Sequence, residues 1–419
     1  MTISLKNNHW LPGSLYGLLS CLAILLWQLP MNAHAENKSQ QPLKGSLVII
    51  GGALRADNAV VWQRIVQQAG GKGAKIAVIP AAAGNPEKSG GFAVESLNQN
   101  GAQAFLIPLS VKHAQFKPED IVNNTAWLDK LKDASGVFFT GGDQCRIVQA
   151  LVRADGSKTA MLEAIWALYQ RGGVIAGSSA GAAIMSTTMF YDAKPVLPTL
   201  KLGVTDGKEI AAGLGFIGPD VFIDQHLIIR GRFARMLPVM LKKNYKLGLG
   251  VDENTAMVVS NQGEVEVIGY KGAILFDLSQ ATTDSTQKNF NISNARISYL
   301  DRGDRFNLRS KTLTPSADKL KSKLIPAHAY HADQRFYADI LANTVLTDLM
   351  FHLIDSKQER TLGLAFGMDA PVELGFEFSF SKQADSLGYY SNASGTDSYT
   401  IHNLHLDIRP VTMQLPLYK

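Results

Sequence analysis

Cysteine is almost missing from this sequence: Cys21 and Cys145 are the only two in 419 residues, so neither a disulfide framework nor a cysteine-rich zinc site can organise the fold. Metal-ligand spacing is missing too. No H-E-x-x-H or comparable His/Asp/Glu cluster occurs, and Gly51-Gly52 matches neither a G-x-G-x-x-G loop nor a Walker pattern, which leaves no nucleotide site in the sequence. Charge is sparse, at 18% of residues, and the net +5 is spread without a long basic run. Nucleic-acid binding driven by counterion release therefore has no footprint here. What remains is a chain that is 46% hydrophobic, with ample material for one large core plus an appendage.

The longest apolar run, Leu15 to Leu29, is about 15 residues where a membrane span needs about 20. Lys6 precedes it and Ala33-His34-Ala35 follows, which predicts a secretory signal peptide over residues 1–35 and a mature chain beginning near Glu36. An uncleaved anchor is the alternative; a lipoprotein site at Cys21 is disfavoured because the apolar run continues past it. After cleavage Cys145 is the lone cysteine, no intramolecular disulfide is possible, and no membrane anchor is expected to remain. Cys145 itself reads as a small buried apolar residue. The expected location is secreted or periplasmic.

Beyond a polar leader at 36–44, short apolar runs alternate with helical patterns. Ser46 to Ile50, Lys75 to Ile79, Gln103 to Ile107, Gly136 to Thr140 and Gly173 to Ala176 read as strands; Asp57 to Gln68 and a stretch near Ala93 to Asn98 read as helices. Runs of this length separated by helices imply parallel strands covered on both faces. The predicted class is α/β, doubly wound, with a mostly parallel sheet. Tyr191 to Gly218, with its prolines and glycines, reads as surface loop.

One of these strands ends in Gly177-Ser178-Ser179-Ala180-Gly181, a G-x-S-x-G elbow in which a strained turn lifts a serine hydroxyl clear of the sheet. Ser179 is thus the candidate nucleophile, and the free N–H of Ala180 at the start of the next helix a candidate oxyanion donor. Another strand runs into Gly141-Gly142-Asp143-Gln144, where Gly142 is the candidate second donor and Asp143 a candidate helix cap. Binding crevices of open parallel sheets lie beyond such strand ends. Farther on, Asp224-Gln225-His226 precedes Arg230, Arg232 and Arg235, with the last two a helical turn apart and Pro238 expected to kink or shorten their helix. Asp252-Glu253 follows the strand Leu247 to Val251; alternation allows only one of the two acids to face the site and does not choose between them.

Taken together, Gly141 to Gln144, Gly177 to Ala182, Asp224 to His226 with Arg230, Arg232 and Arg235, and Gly250-Val251-Asp252-Glu253-Asn254-Thr255-Ala256 resemble the cyanophycinase family, in that family's order, from about Gly45 to Leu308. The resemblance implies a class I glutamine-amidotransferase-like fold and a serine-type exopeptidase that cuts the polyaspartate backbone of cyanophycin into β-aspartyl-arginine dipeptides. By it Ser179 is the nucleophile, His226 the base and Glu253 the orienting acid, with Gly142 and Ala180 as the oxyanion hole and no cofactor or metal required. Gln144, Asp224, Gln225, Arg230, Arg232 and Arg235 are the implied substrate-binding residues: arginine forks suit the substrate's carboxylates and Asp224 its guanidinium. The implied partner is the polymer. Other aspartyl peptidases on the same fold, and a binding protein without turnover, are the competing readings.

A peptidase domain at 45–310 leaves residues 311–419 as an α+β extension, predicted to hold a linker at Thr314 to Pro326, a helix within Asp333 to Ile354, and strands at Glu373 to Phe380 and Leu404 to Ile408. A satellite subdomain is the first expectation for it; a homodimer contact or a polymer-binding surface are the others. His402 and His405 read as exposed strand residues.

Overall fold

The computed structural model describes residues 45–368, 370, 372–414 and 416. The expected signal peptide and polar leader lie outside them. No helix of the described residues is long and apolar enough to cross a membrane.

Five parallel strands, β1 (Ser46–Ile50), β2 (Lys75–Ile79), β3 (Gln103–Leu106), β4 (Gly136–Phe139) and β5 (Val174–Ser178), lie side by side in the order β1-β5-β4-β2-β3. Every residue of β1, β4 and β5 is buried, as continuous apolar runs require when both faces are covered. One face packs Val48, Ile50, Val78 and Phe138 against Val61, Trp62, Ile65 and Val66 of the helix Ala59–Gln68, and the other packs Ile49, Ile79 and Phe139 with Ile165 and Leu168 of the helix Ala160–Gln170. The first helix starts where the Asn58 side chain accepts from the N–H of Val61. A second begins earlier than its apolar pattern suggests, at Pro86, capped by Asn85, and runs to Gln99.

The parallel region is only part of the architecture. Thr255–Val259 pairs antiparallel with β1 and carries three further antiparallel strands on that edge, Glu264–Gly269, Arg305–Asn307 and Leu313–Thr314. A second nine-stranded sheet, mostly antiparallel, has Val221–Gln225 and Leu247–Val251 as a parallel pair at one edge. The site arises where the ends of these two strands meet the ends of β1 and β5.

Beyond Thr314, the strands of the C-terminal segment join this second sheet instead of forming one of their own. Ser398–Gln414 pairs with both Ile292–Leu300 and Val372–Ser381, and Phe376, Phe378 and Phe380 enter the same core as Phe233 and Met236. The expected linker is corrected accordingly: Leu313–Thr314 is a strand, and Lys319 is wholly buried, its Nζ 2.8 Å from Asp304 Oδ1 in an ion pair not aligned as a hydrogen bond. A polar sequence carried that buried charge without any local sign of it. The helix expected within Asp333 to Ile354 occupies only Val345–Ile354. His402 and His405 are half-buried, His405 Nε2 lying 2.8 Å from Asp385 Oδ1. Tyr191 to Gly218 is likewise more ordered than a loop, containing the helix Val196–Leu202 and the strand Ile210–Ala212, because its glycines and prolines sit between short apolar stretches that reach the core.

Candidate active site

Ser179 stands at the end of β5 with φ 54° and ψ −106°, a left-handed conformation that few non-glycine residues adopt. Its N–H donates to Ile50 O at the end of β1, and the helix Ala180–Ala183 starts immediately after it. The flanking glycines are required by close approach: a Cβ on Gly177 would fall 2.2 Å from Gly181 O, and one on Gly181 would fall 2.6 Å from Phe139 O. Bulk at either position would unseat the turn, which is the physical content of the G-x-S-x-G pattern.

His226 also has positive φ, 50°, and its N–H donates to Gly51 O, so the imidazole is delivered to the end of β1. Nε2 lies 2.8 Å from Ser179 Oγ and Nδ1 lies 2.5 Å from Glu253 Oε1. A carboxylate can only accept, which assigns the proton to Nδ1 and leaves Nε2 to accept from the serine hydroxyl. Burial lowers the His226 pKa, against an opposing pull from Glu253 and with added repulsion from Arg230 and Arg232. The imidazole is therefore held neutral, the form a general base needs.

The two acids after Val251 divide cleanly. Asp252 is fully buried, accepting from the N–H of Ile229 and pairing with Lys271 Nζ at 2.9 Å. Glu253 turns to His226 and has Arg230 at 3.7 Å. Asn254 locks the turn by donating its N–H to Gly52 O while its side chain takes hydrogen bonds from Asn58 and from the N–H of Arg55.

Gly142 has φ 140°, and a Cβ there would meet Ala82 O at 2.1 Å. Neighbouring Gly141 abuts the serine: its missing Cβ would fall 3.2 Å from Ser179 Cβ. Among the described residues no acceptor takes the N–H of Gly142 or of Ala180. Asp143 caps the following helix through the N–H of Cys145, whose thiol is half-buried and pushed up to about 12 by that burial and by Asp143, which favours the protonated thiol at neutral pH.

The residues expected to bind substrate separate into two groups. Asp224 and Arg235 hold each other: Nε to Oδ2 and Nη2 to Oδ1 are both 2.7 Å, the pair is buried, and the guanidinium lies over the Phe190 ring. Asp224, expected to receive a substrate guanidinium, and Arg235, expected to hold a substrate carboxylate, thus engage each other in this structure. Gln144 donates to Phe190 O. Arg232 donates to the main-chain and side-chain oxygens of Gln225, and burial, reinforced by Arg235, brings its pKa down to about 10. Only Arg230 is exposed. Arg232 and Arg235 lie on a 3-10 turn, Arg232–Arg235, and Pro238 is accommodated in the first turn of the helix Met236–Lys243.

The sequence gives Gly52 no role beyond the absence of a nucleotide-loop pattern at Gly51-Gly52. A Cβ at this position, where φ is 116°, would lie 2.2 Å from His226 Cε1, so the glycine is the floor on which the imidazole rests. Its signal was the Gly-Gly pair at a strand end, which does not by itself say what approaches. A pocket of about 460 Å³ opens beside Ser179 and His226, walled by Leu54, Trp62, Phe92, Phe138 and Thr140. No group of three or more His, Cys, Asp or Glu residues arranged for a metal occurs among the described residues.

A family model described as peptidase family S51 matches residues 47–267. The chain is 28% identical over 297 residues to a cyanophycinase of Trichormus variabilis, covering 68% of this chain and 93% of that one. It is 31% identical over 286 residues to a cyanophycinase of Geminocystis herdmanii, covering 66% and 98% respectively. Among solved structures, a peptidase from an acI-B1 Actinobacterium is similar with a TM-score of 0.46 and 22% identity, over 64% of this chain and 99% of that one.

Proposed function

The chain belongs to peptidase family S51 and is a serine-type peptidase, and from that premise we propose that it is an exported exopeptidase that cuts cyanophycin into β-aspartyl-arginine dipeptides. The observation that carries the reading is the relay of 2.8 Å from Ser179 Oγ to His226 Nε2 and 2.5 Å from His226 Nδ1 to Glu253 Oε1. A serine hydroxyl is a poor nucleophile until a base removes its proton, and an imidazolium needs a carboxylate to hold it in place.

In the proposed cycle Ser179 Oγ attacks the scissile carbonyl carbon as its proton passes to Nε2. The oxyanion is met by the N–H groups of Gly142 and Ala180, each worth on the order of 10²–10³ in rate. Collapse breaks the C–N bond, His226 returns the proton to the leaving amine, and an acyl-serine remains. Water, deprotonated by His226, then attacks the ester and restores the hydroxyl. Arg230, exposed at the rim and 3.7 Å from Glu253, is the arginine best placed to meet a substrate carboxylate. Export rests on the leader at residues 1–35, with the mature chain starting near Glu36.

Incubation of the purified protein with insoluble cyanophycin, with soluble products identified by mass, tests the activity. Release of β-aspartyl-arginine supports it. Hydrolysis confined to other aspartyl peptides would favour a dipeptidase on the same scaffold.

A further inference from the structure

Cys145 is the lone cysteine among the described residues, so no disulfide between them fastens the C-terminal segment. That segment starts instead at a buried charge pair. Asp304 and Lys319 are both 0% exposed, and Lys319 Nζ lies 2.8 Å from Asp304 Oδ1. The local chain builds this approach. The N–H of Asp304 closes a turn on Asp301 O, and Gly303, with φ 81°, lets Ser316 come near, since a Cβ on the glycine would fall 2.9 Å from Ser316 Cβ. The N–H of Ser316 donates to Asp304 Oδ1, and the N–H of Lys319 closes the next turn on Ser316 O.

Two features set the pair apart from an ordinary salt bridge. Nζ makes no aligned hydrogen bond among the described residues, so an ammonium with three donors is buried with none of them satisfied, which is costly. The carboxyl group opposite is held as an electrophile. Its other oxygen, Oδ2, accepts from Thr400 Oγ1 at 2.6 Å and from the N–H of Asp301 at 2.7 Å, two donors arranged as an oxyanion hole arranges them. Burial raises the Asp304 pKa against the pull of Lys319 and Thr400, which favours passing one proton across the pair and leaves an amine facing an acid. Oδ1 is bonded to Cγ, so Nζ stands within about 4 Å of that carbon.

We propose that Lys319 and Asp304 join in an intramolecular amide, a self-formed cross-link between the turn leading into Arg305–Asn307 and the segment that follows Leu313–Thr314. Nζ attacks Cγ, and negative charge gathers on Oδ2 under its two donors. The Nζ–Cγ bond forms, the Cγ–Oδ1 bond breaks, and a proton from Nζ leaves with Oδ1 as water; amine and acid become amide and one water, with no oxidant, reductant or cofactor. Both buried charges disappear, and the amide oxygen keeps the donors of Asp301 and Thr400. The bond ties the chain as a disulfide would, by closing the loop between the two residues.

The test takes the denatured mass of the purified full chain, its N-terminus fixed by sequencing, beside that of Lys319→Arg, in which the charge is kept and the amine nucleophile is lost. The wild-type chain should be lighter than its sequence by one water, about 18 Da, and the variant should have its full sequence mass. Trypsin, which cuts after lysine and arginine, should leave Lys319 uncut and release a branched peptide joining Asp304 to residues 312–321. A wild-type chain at full sequence mass and cut after Lys319 would overturn the proposal. So would a deficit that persists in Lys319→Arg, or a branch point at another residue. The wild-type measurement decides whether or not the variant folds, and none of these readouts depends on peptidase activity.

Discussion

Gly52 and His226 are in contact so close that a single methyl on the glycine would overlap the imidazole, 2.2 Å from Cε1 and 2.5 Å from Nε2. The histidine is located from below by the absence of a side chain, from one side by Glu253, and from its own backbone by Gly51 O.

Gly52→Ala is therefore expected to displace the imidazole from Ser179 Oγ. A misplacement of about 1 Å costs on the order of 10² in rate, while the added left-handed strain costs about 1–3 kcal/mol. Loss of kcat/KM at least tenfold beyond what the unfolded fraction accounts for, with circular dichroism unchanged at low temperature, is the expected result. Wild-type turnover would sink this account of the glycine.

Ser179→Ala should remove hydrolysis, by about 10⁴ or more in kcat, and leave the thermal midpoint nearly unchanged, since only one oxygen is lost and the backbone turn is held by Gly177 and Gly181. Unchanged turnover would sink the mechanism.

The pH dependence follows from burial of His226. Its pKa is held below the ordinary 6.5, so the acidic limb of kcat/KM should fall below pH 6.5 and reflect this one group. Stability shares the sign: the unfolded chain binds the proton more readily, so this contribution is complete above the unfolded pKa and is lost as pH falls from there through the folded value. A limb centred above 6.5 would contradict it.

Asp224 and Arg235 should separate from Arg230 in their phenotypes. Removing one member of a buried pair leaves a bare charge and costs about 3–5 kcal/mol, so Arg235→Ala should lower the denaturation midpoint strongly. Arg230→Ala, at an exposed side chain, should stay within about 0.5 kcal/mol in stability and act on KM. Denaturant titration beside steady-state kinetics distinguishes them; the reverse pattern would place Arg235 in the binding surface.

Lys319→Met removes the cation buried beside Asp304, which also accepts from Thr400 Oγ1 and from the N–H groups of Asp301 and Ser316. A loss of about 3 kcal/mol is expected, with the paired change Asp304→Asn recovering part of it. Full stability of the single variant would mean that the pair does not tie the C-terminal segment to the core.

What could be read without the structure was local. Gly177 and Gly181 around Ser179 mark a turn because only glycine tolerates such approach, and the apolar runs of β1, β2, β4 and β5 reveal strands covered on both faces. Asp143 stands where a helix cap is needed, and Asn58 and Asn85 fill the same role in the structure. Tertiary structure decided everything that depends on which distant group a side chain meets. Asp252 and Glu253 are neighbours of like charge, and only the positions of Lys271, the N–H of Ile229 and His226 send one inward and the other to the site. Arg230, Arg232 and Arg235 look equivalent along the chain, yet a carboxylate 11 residues upstream engages Arg235. Gly52 and Lys319 show the same limit: a side chain's composition and period set what it can do, whereas its partner is chosen by strand pairings that join residues hundreds of positions apart.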